Sequence, residues 1–417
     1  MSAARRLAAL VPTLATTPAN QVANMSDLGK ILDEAVAAKK VPQVVTYATN
    51  ADGSFTYSHT AGTVSTEPDA AQVKPDAIFL LASATKLIVT IAALQIVEKG
   101  LVALEDDVSK IIPELGDQQV LHGFAENGEP ILKARQNAIT LRHLLTHSAG
   151  TAYDMGDANL IRLAQHRKTP PSTGTDVVGR FSYPLIFEPG ASWSYGTGID
   201  WAGLVVERLT KSTLEEYMTT HIWKPLGIKE MTFFPRKRPE LQARIPVLAV
   251  RTPDGSLAKY PGRSINEGLT GCLGGQGIYA TMEEYLKIQR SILANDGKLL
   301  SSKSVDLMFT SQLSSAETQG LKQFLKTPMA AMFIGEFVPE IETSWGLGGV
   351  LFLHDDQGRR KKGTMSWGGM TNPFWIIDRE AGLALVFGTQ LFPPGDVETA
   401  KVITTIEKSV YKMAGVA

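Results

Sequence analysis

The chain contains one cysteine, Cys272, which excludes an intramolecular disulfide framework and fits a reducing compartment. It has no excess of either charge: Lys and Arg number 41 against 42 Asp and Glu, with no long block of one sign. That balance argues against nucleic acid or an anionic membrane as the main partner. No uncharged apolar run is long enough for a membrane span, so a soluble, cytoplasmic protein is expected. The Gly-x-Ser-x-Gly elbow of one large hydrolase class is missing. Gly271–Gly277 lacks the Gly-Lys-Ser ending of a phosphate loop and reads as a bend. His143-x-x-x-His147 has metal-ligand spacing but no Glu of the HExxH kind, and reads as a structural pair. No metal site and no organic cofactor site is expected. Residues 1–26 carry Arg5 and Arg6 and no acid. Their short apolar part is broken by Pro12, which makes a poor secretory segment and reads as an N-terminal tail.

What the chain does have is one helix built for the interior. Phe79 to Gly100 reads FLLASATKLIVTIAALQIVEKG, and between Asp76 and Glu98 the only charge is Lys86. Apolar residues on every side, from Leu80 and Leu81 to Leu94 and Ile96, describe a helix buried all round, with Gly100 as its stop. An ammonium in such surroundings either finds partners or gives up its proton. Ser83 lies three residues earlier, on the same helical face. A hydroxyl beside such an amine is a nucleophile beside its base. A helix starting at Ser83 also puts that N–H at the positive helix end, where an anion is favoured. The plainer reading is a lysine that snorkels to the surface, but its neighbours leave little room for that. Spacing by itself says little, because Ser-x-x-Lys recurs at Ser256/Lys259 and Ser409/Lys412. Those pairs sit in a polar turn and on a terminal helix, where water surrounds the lysine.

Leu28, Ile31, Leu32 and Val36 recur at helical spacing over 27–40, ahead of strands at Gln43–Thr49 and Ser54–His59 joined through Asp52-Gly53. After the buried helix, Leu104–Ile112 reads as a short helix. Thr140 caps LRHLLTHSAG as a helix ending at Gly150, residues 165–180 read as a loop, and an apolar helix starts near Asp200. A helix over 281–295 and a weakly periodic stretch over 311–344 follow. Strands are then expected at Gly348–His354, Gly363–Trp367, Phe374–Ile377 and LALVFGTQ, before an amphipathic C-terminal helix. The pattern predicts an α/β lobe from residues 27–104 and 215–417, with an inserted, mostly helical lobe over 105–214.

Two further stretches can carry chemistry. Trp193-Ser-Tyr195-Gly-Thr197 places a tyrosine in a small-residue loop before a buried helix. Its hydroxyl either points into a cleft or is a satisfied core hydroxyl. Ser366-Trp367-Gly368-Gly369-Met370 reads as a strand ending in two glycines, where a backbone N–H can approach a substrate closely, or as a plain strand end.

Taken in order, these stretches resemble the serine hydrolases of the class C β-lactamase and penicillin-recognising fold. They are most similar to the fungal polyketide transesterases of the lovastatin acyltransferase type, and similar also to the family VIII carboxylesterases. LASATKL, ITLRHLLTHSAG, YGTGIDWAG, PLGIKEMTF and GGQG carry the likeness, which runs from about residue 27 over nearly the whole chain. The resemblance implies an antiparallel sheet flanked by helices. It implies Ser83 as acyl-accepting nucleophile, Lys86 and Tyr195 as the proton-handling pair, and the N–H groups of Ser83 and Met370 as an oxyanion hole. Tyr153, Trp367, Gly368, Gly369 and Phe374 are the expected substrate-binding residues.

Two departures from the β-lactamase pattern bear on substrate. Thr197 stands where that family has an asparagine, and Trp367 where it has the lysine of Lys-Thr-Gly. Losing both polar handles points to a bulky apolar substrate and to weak β-lactamase activity. Leu80 replaces an arginine of the transesterases. The expected activity is acyl transfer from a thioester or ester donor to a hydroxyl of a polyketide-like acceptor, with hydrolysis of the same ester class as the alternative. The resemblance adds an acyl-carrier protein as a candidate partner. A non-catalytic binding protein with this fold would instead keep its function on Ser83→Ala.

Overall fold

The segment LALVFG, residues 383–388, has no polar side chain to offer water, and the fold covers both of its faces. A computed structural model describes residues 19–170, 173–338 and 340–417 of the protein. The main strands are β1 (Gln43–Asn50), β2 (Thr56–Gly62), β3 (Thr343–Trp345), β4 (Val350–Phe352), β5 (Met365–Gly368), β6 (Phe374–Asp378) and β7 (Leu383–Gly388). They form one sheet in the order β3-β4-β5-β6-β7-β1-β2, antiparallel at every pairing. The helices that bear on the site are α1 (Ala19–Ala37), α2 (Thr85–Glu98), α3 (Leu141–Leu145), α4 (Gly198–Thr210), α5 (Met282–Ala294), α6 (Ser315–Phe324) and α7 (Val397–Ala414).

Alternate strand residues go to opposite faces of the sheet. Leu383, Leu385 and Phe387 join Val44, Phe374 and Ile376 under Leu28 and Leu32 of α1 and Ile403 and Ile406 of α7. Ala384 and Val386 join Val45, Trp375 and Ile377 on the other face, against Leu87 and Ile88 of α2 and Ile288 and Ile292 of α5. That second cluster continues without a break to Ile139, Leu144 and Trp201. The 105–214 segment therefore shares the core of the sheet.

The structure refines several boundaries. The buried helix does not begin at Ser83. Phe79–Leu80 is a short strand paired with Tyr279–Ala280, Ala82–Ala84 is a tight 3-10 turn, and α2 starts at Thr85. The break follows from Ala82, whose φ of 45° lies in the left-handed region and cannot continue a helix. Only Val108–Lys110 of the expected 104–112 helix is helical, as a 3-10 turn. Helix α3 stops at Leu145 rather than Gly150, because His147 also has a positive φ of 61°. Residues 120–133 hold an unexpected hairpin, Val120–Phe124 with Pro130–Lys133. The 311–344 stretch contains α6, opened by Ser314 and Glu317 in a reciprocal cap. Helix α1 takes in residues 19–26 of the stretch read as a tail, while residues 1–18, and positions 171–172 of the 165–180 loop, lie outside the described residues. No helix among the described residues is long and apolar enough to cross a membrane.

Candidate active site

From Ala77 to Ile96 every residue is buried except Ser83. The left-handed Ala82 turns the chain so that this one side chain leaves the interior. The turn after β5 lies directly against the preceding backbone: a Cβ on Gly369 would stand 2.3 Å from the Leu81 carbonyl oxygen. Thr371 Oγ1 and Gln390 Nε2 donate to the Leu80 carbonyl at 3.2 and 3.3 Å. Asn372 holds the turn from behind, with Nδ2 donating to the carbonyls of Leu391 (2.7 Å) and Pro393 (2.8 Å). No acceptor among the described residues takes the N–H of Ser83 or Met370. Met370 packs against the cluster of Ile78, Leu80, Ala82, Leu241 and Tyr279; Leu80 and Tyr279 also line a cavity of about 350 Å³ whose wall mixes Ile245 and Tyr260 with Arg236 and Glu267.

Lys86 is fully buried and finds three partners. Its Nζ donates to the Gly275 carbonyl at 2.8 Å, the Tyr153 hydroxyl at 3.1 Å and Ser83 Oγ at 3.2 Å. An ammonium has three donors, and all three are used. At 3.2 Å the same nitrogen, once neutral, can take the hydroxyl proton as Oγ attacks a carbonyl. The other two Ser-x-x-Lys pairs differ as expected, since Lys259 and Lys412 are exposed.

The tyrosines divide their contacts with Lys86 unexpectedly. Tyr195 presents its ring, with Nζ 4.7 Å from the centroid, a favourable placement for a cation. Its hydroxyl accepts from Trp367 Nε1 at 3.2 Å. The hydroxyl on the lysine belongs to Tyr153, which the sequence placed in the pocket wall. Burial chiefly, then the Asp200 carboxylate and Tyr195, hold Tyr153 well above the usual phenol range, so it stays protonated. His147 packs on Tyr195 at 4.7 Å and on Trp345 at 4.9 Å, and its Nδ1 accepts from the Gly196 N–H at 3.3 Å. Burial, with the Lys86 charge second, pushes it well below the usual histidine range, leaving a neutral ring. His143 caps α3, its Nδ1 accepting from the Thr140 N–H at 3.3 Å.

Strand alternation sorts the remaining expected residues. Trp367 faces the site, buried among Tyr195 (5.1 Å), Trp345 (4.8 Å) and Phe333 (4.7 Å); it holds Tyr195 in place and exposes almost nothing to a ligand. Gly368 and its cross-strand partner Phe374 point the other way. A Cβ on Gly368 would meet Ile334 at 2.5 Å, and Phe374 packs with Ile376 and Leu385 beneath α7. Phe374 is thus a core residue of the opposite face and does not line the cleft. Tyr153, partly exposed, and the Gly369-Met370 turn remain beside Ser83. Sequence reading missed the Tyr153 hydroxyl, Asn372 and Asp200.

A family model described as beta-lactamase matches residues 28–405. The chain belongs to the β-lactamase family, on an antiparallel sheet with flanking helices. Within it, the chain is an enzyme of the acyltransferase and esterase group. It is 39% identical to a lovastatin esterase of Penicillium rubens over 385 residues, covering 91% of this chain and 96% of the relative. It is 34% identical to the monacolin J acid methylbutanoyltransferase of Aspergillus terreus, covering 91% and 93%. A mutant of simvastatin synthase from Aspergillus terreus has the same fold with a TM-score of 0.87 at 35% identity, covering 96% of both chains.

Proposed function

We propose that the protein moves an acyl group through an acyl-Ser83 intermediate, from a thioester or ester donor to a hydroxyl of a bulky, apolar, polyketide-like acceptor. The observation that carries this reading is the pair itself: the one partly exposed residue of a buried stretch is a serine whose Oγ lies 3.2 Å from a buried lysine amine. Ser83 attacks the acyl carbonyl and Lys86 takes its proton. Lys86 then returns that proton to the leaving group, together with Tyr195, whose ring lies on the lysine and whose hydroxyl is held by Trp367. The free N–H groups of Ser83 and Met370 receive the oxyanion, each worth about 3 kcal/mol of barrier. The names of the relatives support a polyketide-like acceptor, and Tyr153 with the Gly369-Met370 turn would touch the bound ester. An acyl-carrier protein presenting the thioester is the proposed protein partner. With Cys272 its one cysteine, the chain has no intramolecular disulfide that needs an oxidising compartment, which supports a cytoplasmic setting.

Incubation with an acyl thioester, with and without an alcohol acceptor, tests transfer: ester should form only with enzyme and acceptor together. Ester yield equal to the enzyme-free control would rule transfer out. Release of acid alone would establish the second reading, ester hydrolysis, which the lovastatin esterase relative at 39% identity favours. Trp367→Phe keeps an aromatic ring but removes the donor to Tyr195. Loss of a hydrogen bond worth about 1 kcal/mol should lower kcat for a small ester about fivefold. An unchanged kcat would show that the Tyr195 hydroxyl needs no such support.

A further inference from the structure

Asp200 lies in the first turn of α4, where a carboxylate ordinarily faces water and the helix dipole. Here it is fully buried and turned toward the glycine-rich bend. Its Oδ1 accepts from the Gly275 N–H at 2.7 Å, and the carbonyl of the same Gly275 accepts from Lys86 Nζ at 2.8 Å. The fit is tight: a Cβ on Gly275 would stand 2.3 Å from Asp200 Oδ2, so a side chain there would displace the carboxylate. Oδ2 has no hydrogen-bond partner among the described residues. Keeping an ionisable group in that condition is costly.

We propose that Asp200 is a positioning residue for Lys86, acting through the backbone of Gly275, and that its negative charge favours the ammonium formed when Lys86 takes the Ser83 proton. Ser83, Lys86 and Asp200 then repeat the nucleophile, base and orienting-group order of hydrolytic triads, with a backbone unit between the last two. As Oγ bonds to the acyl carbon, its proton moves to Nζ and the carbonyl electron pair moves onto oxygen. Asp200 itself exchanges no proton. Starting from the neutral amine that accepts the proton, its charge favours the ammonium that the transfer creates, so it lowers the barrier rather than tightening substrate binding. The charged or titratable groups around it are Lys86 from α2, Arg180 from the 177–181 helix and Tyr153 from the loop after α3. Desolvation by burial raises the carboxyl to about 6, against the pull of Lys86, the Gly275 N–H and Arg180.

The inference rests on the reading of Ser83 and Lys86 given above, and the test separates the two. Acylation by a p-nitrophenyl ester is followed by burst kinetics from pH 5 to 9, with intact-mass detection of the adduct, in the wild type and in Asp200→Asn. Asparagine can still accept from the Gly275 N–H but carries no charge. The variant should acylate about 10- to 100-fold more slowly, the range of a charge interaction at an effective dielectric constant near 20, with KM nearly unchanged. The raised carboxyl pKa means the charge is present above about pH 6 and is lost as pH falls through it. Wild-type acylation should decline over that interval, and the Asp200→Asn profile should lose that limb. Acylation by Asp200→Asn at the wild-type rate and with the wild-type profile would overturn the inference. Should that variant not fold, a flat wild-type profile between pH 5 and 7 would overturn it equally. A wild type that forms no adduct on Ser83 would instead overturn the reading beneath it.

Discussion

Ser83→Ala is expected to abolish acyl-adduct formation and to lower turnover of any ester or thioester on the order of 10⁵-fold or more, as loss of the nucleophile does in serine hydrolases generally. The fold should hardly notice. Ser83 is the one partly exposed residue in its stretch, and its hydroxyl contributes a single contact to Lys86 at 3.2 Å, worth about 1 kcal/mol. Activity and stability should therefore separate cleanly. Lys86→Met should be almost as inactive, and the double variant no worse than either single one, because the two groups act as a unit. Intact-mass measurement after exposure to an active ester reads this directly. An adduct on the Ser83→Ala protein, mapped to another residue, would remove the proposed mechanism.

The second large effect concerns stability. Glu407 on α7 and Arg360 are both wholly buried, and Arg359 nearly so. The carboxylate takes Arg360 Nε at 2.6 Å, Arg360 Nη2 at 2.8 Å and Arg359 Nη1 at 2.9 Å. Asp356 Oδ2 forms a second ion pair with Arg359 Nε at 2.6 Å, so on loss of Glu407 Arg359 keeps one carboxylate, while Arg360 keeps none among the described residues. Glu407→Ala would leave two buried guanidiniums short of their acceptor, at about 3–5 kcal/mol. For a chain of this length that is a fall in Tm of roughly 5 °C, measurable by calorimetry. The effect should reach the site. Arg359 Nη2 and Arg360 Nη1 also donate to the Glu336 carbonyl, at 2.9 and 3.3 Å, fixing the segment that seats Phe333 on Trp367. A wild-type Tm for Glu407→Ala would show the cluster to be dispensable.

The parts of this molecule that could be read from sequence are those where cause and effect lie within a few residues. Ser83 and Lys86 are one helical turn apart in an apolar stretch, so burial and spacing sufficed. Lys86 meets Tyr153 across 67 residues and Gly275 across 189, and Asp200 meets Gly275 across 75; no local pattern encodes such pairings. Phe374 was misplaced for a related reason. The strand was legible, but the side of the sheet facing the cleft depends on register with Trp367 and Gly368. Helix α6 was legible and overlooked, since Ser314 and Glu317 have the spacing of a capping box. The left-handed Ala82 gave no sign, because alanine ordinarily avoids that conformation.

The indoles around Tyr195 have a use of their own. Trp193, Trp345 and Trp367 form a chain with ring centres 5.6 and 4.8 Å apart, the latter pair inclined at 78°. Chromophores so near and so tilted share their electronic excitations. The intact pocket therefore carries an ultraviolet dichroic signature that isolated tryptophans lack, and its state can be followed in solution without attaching a label.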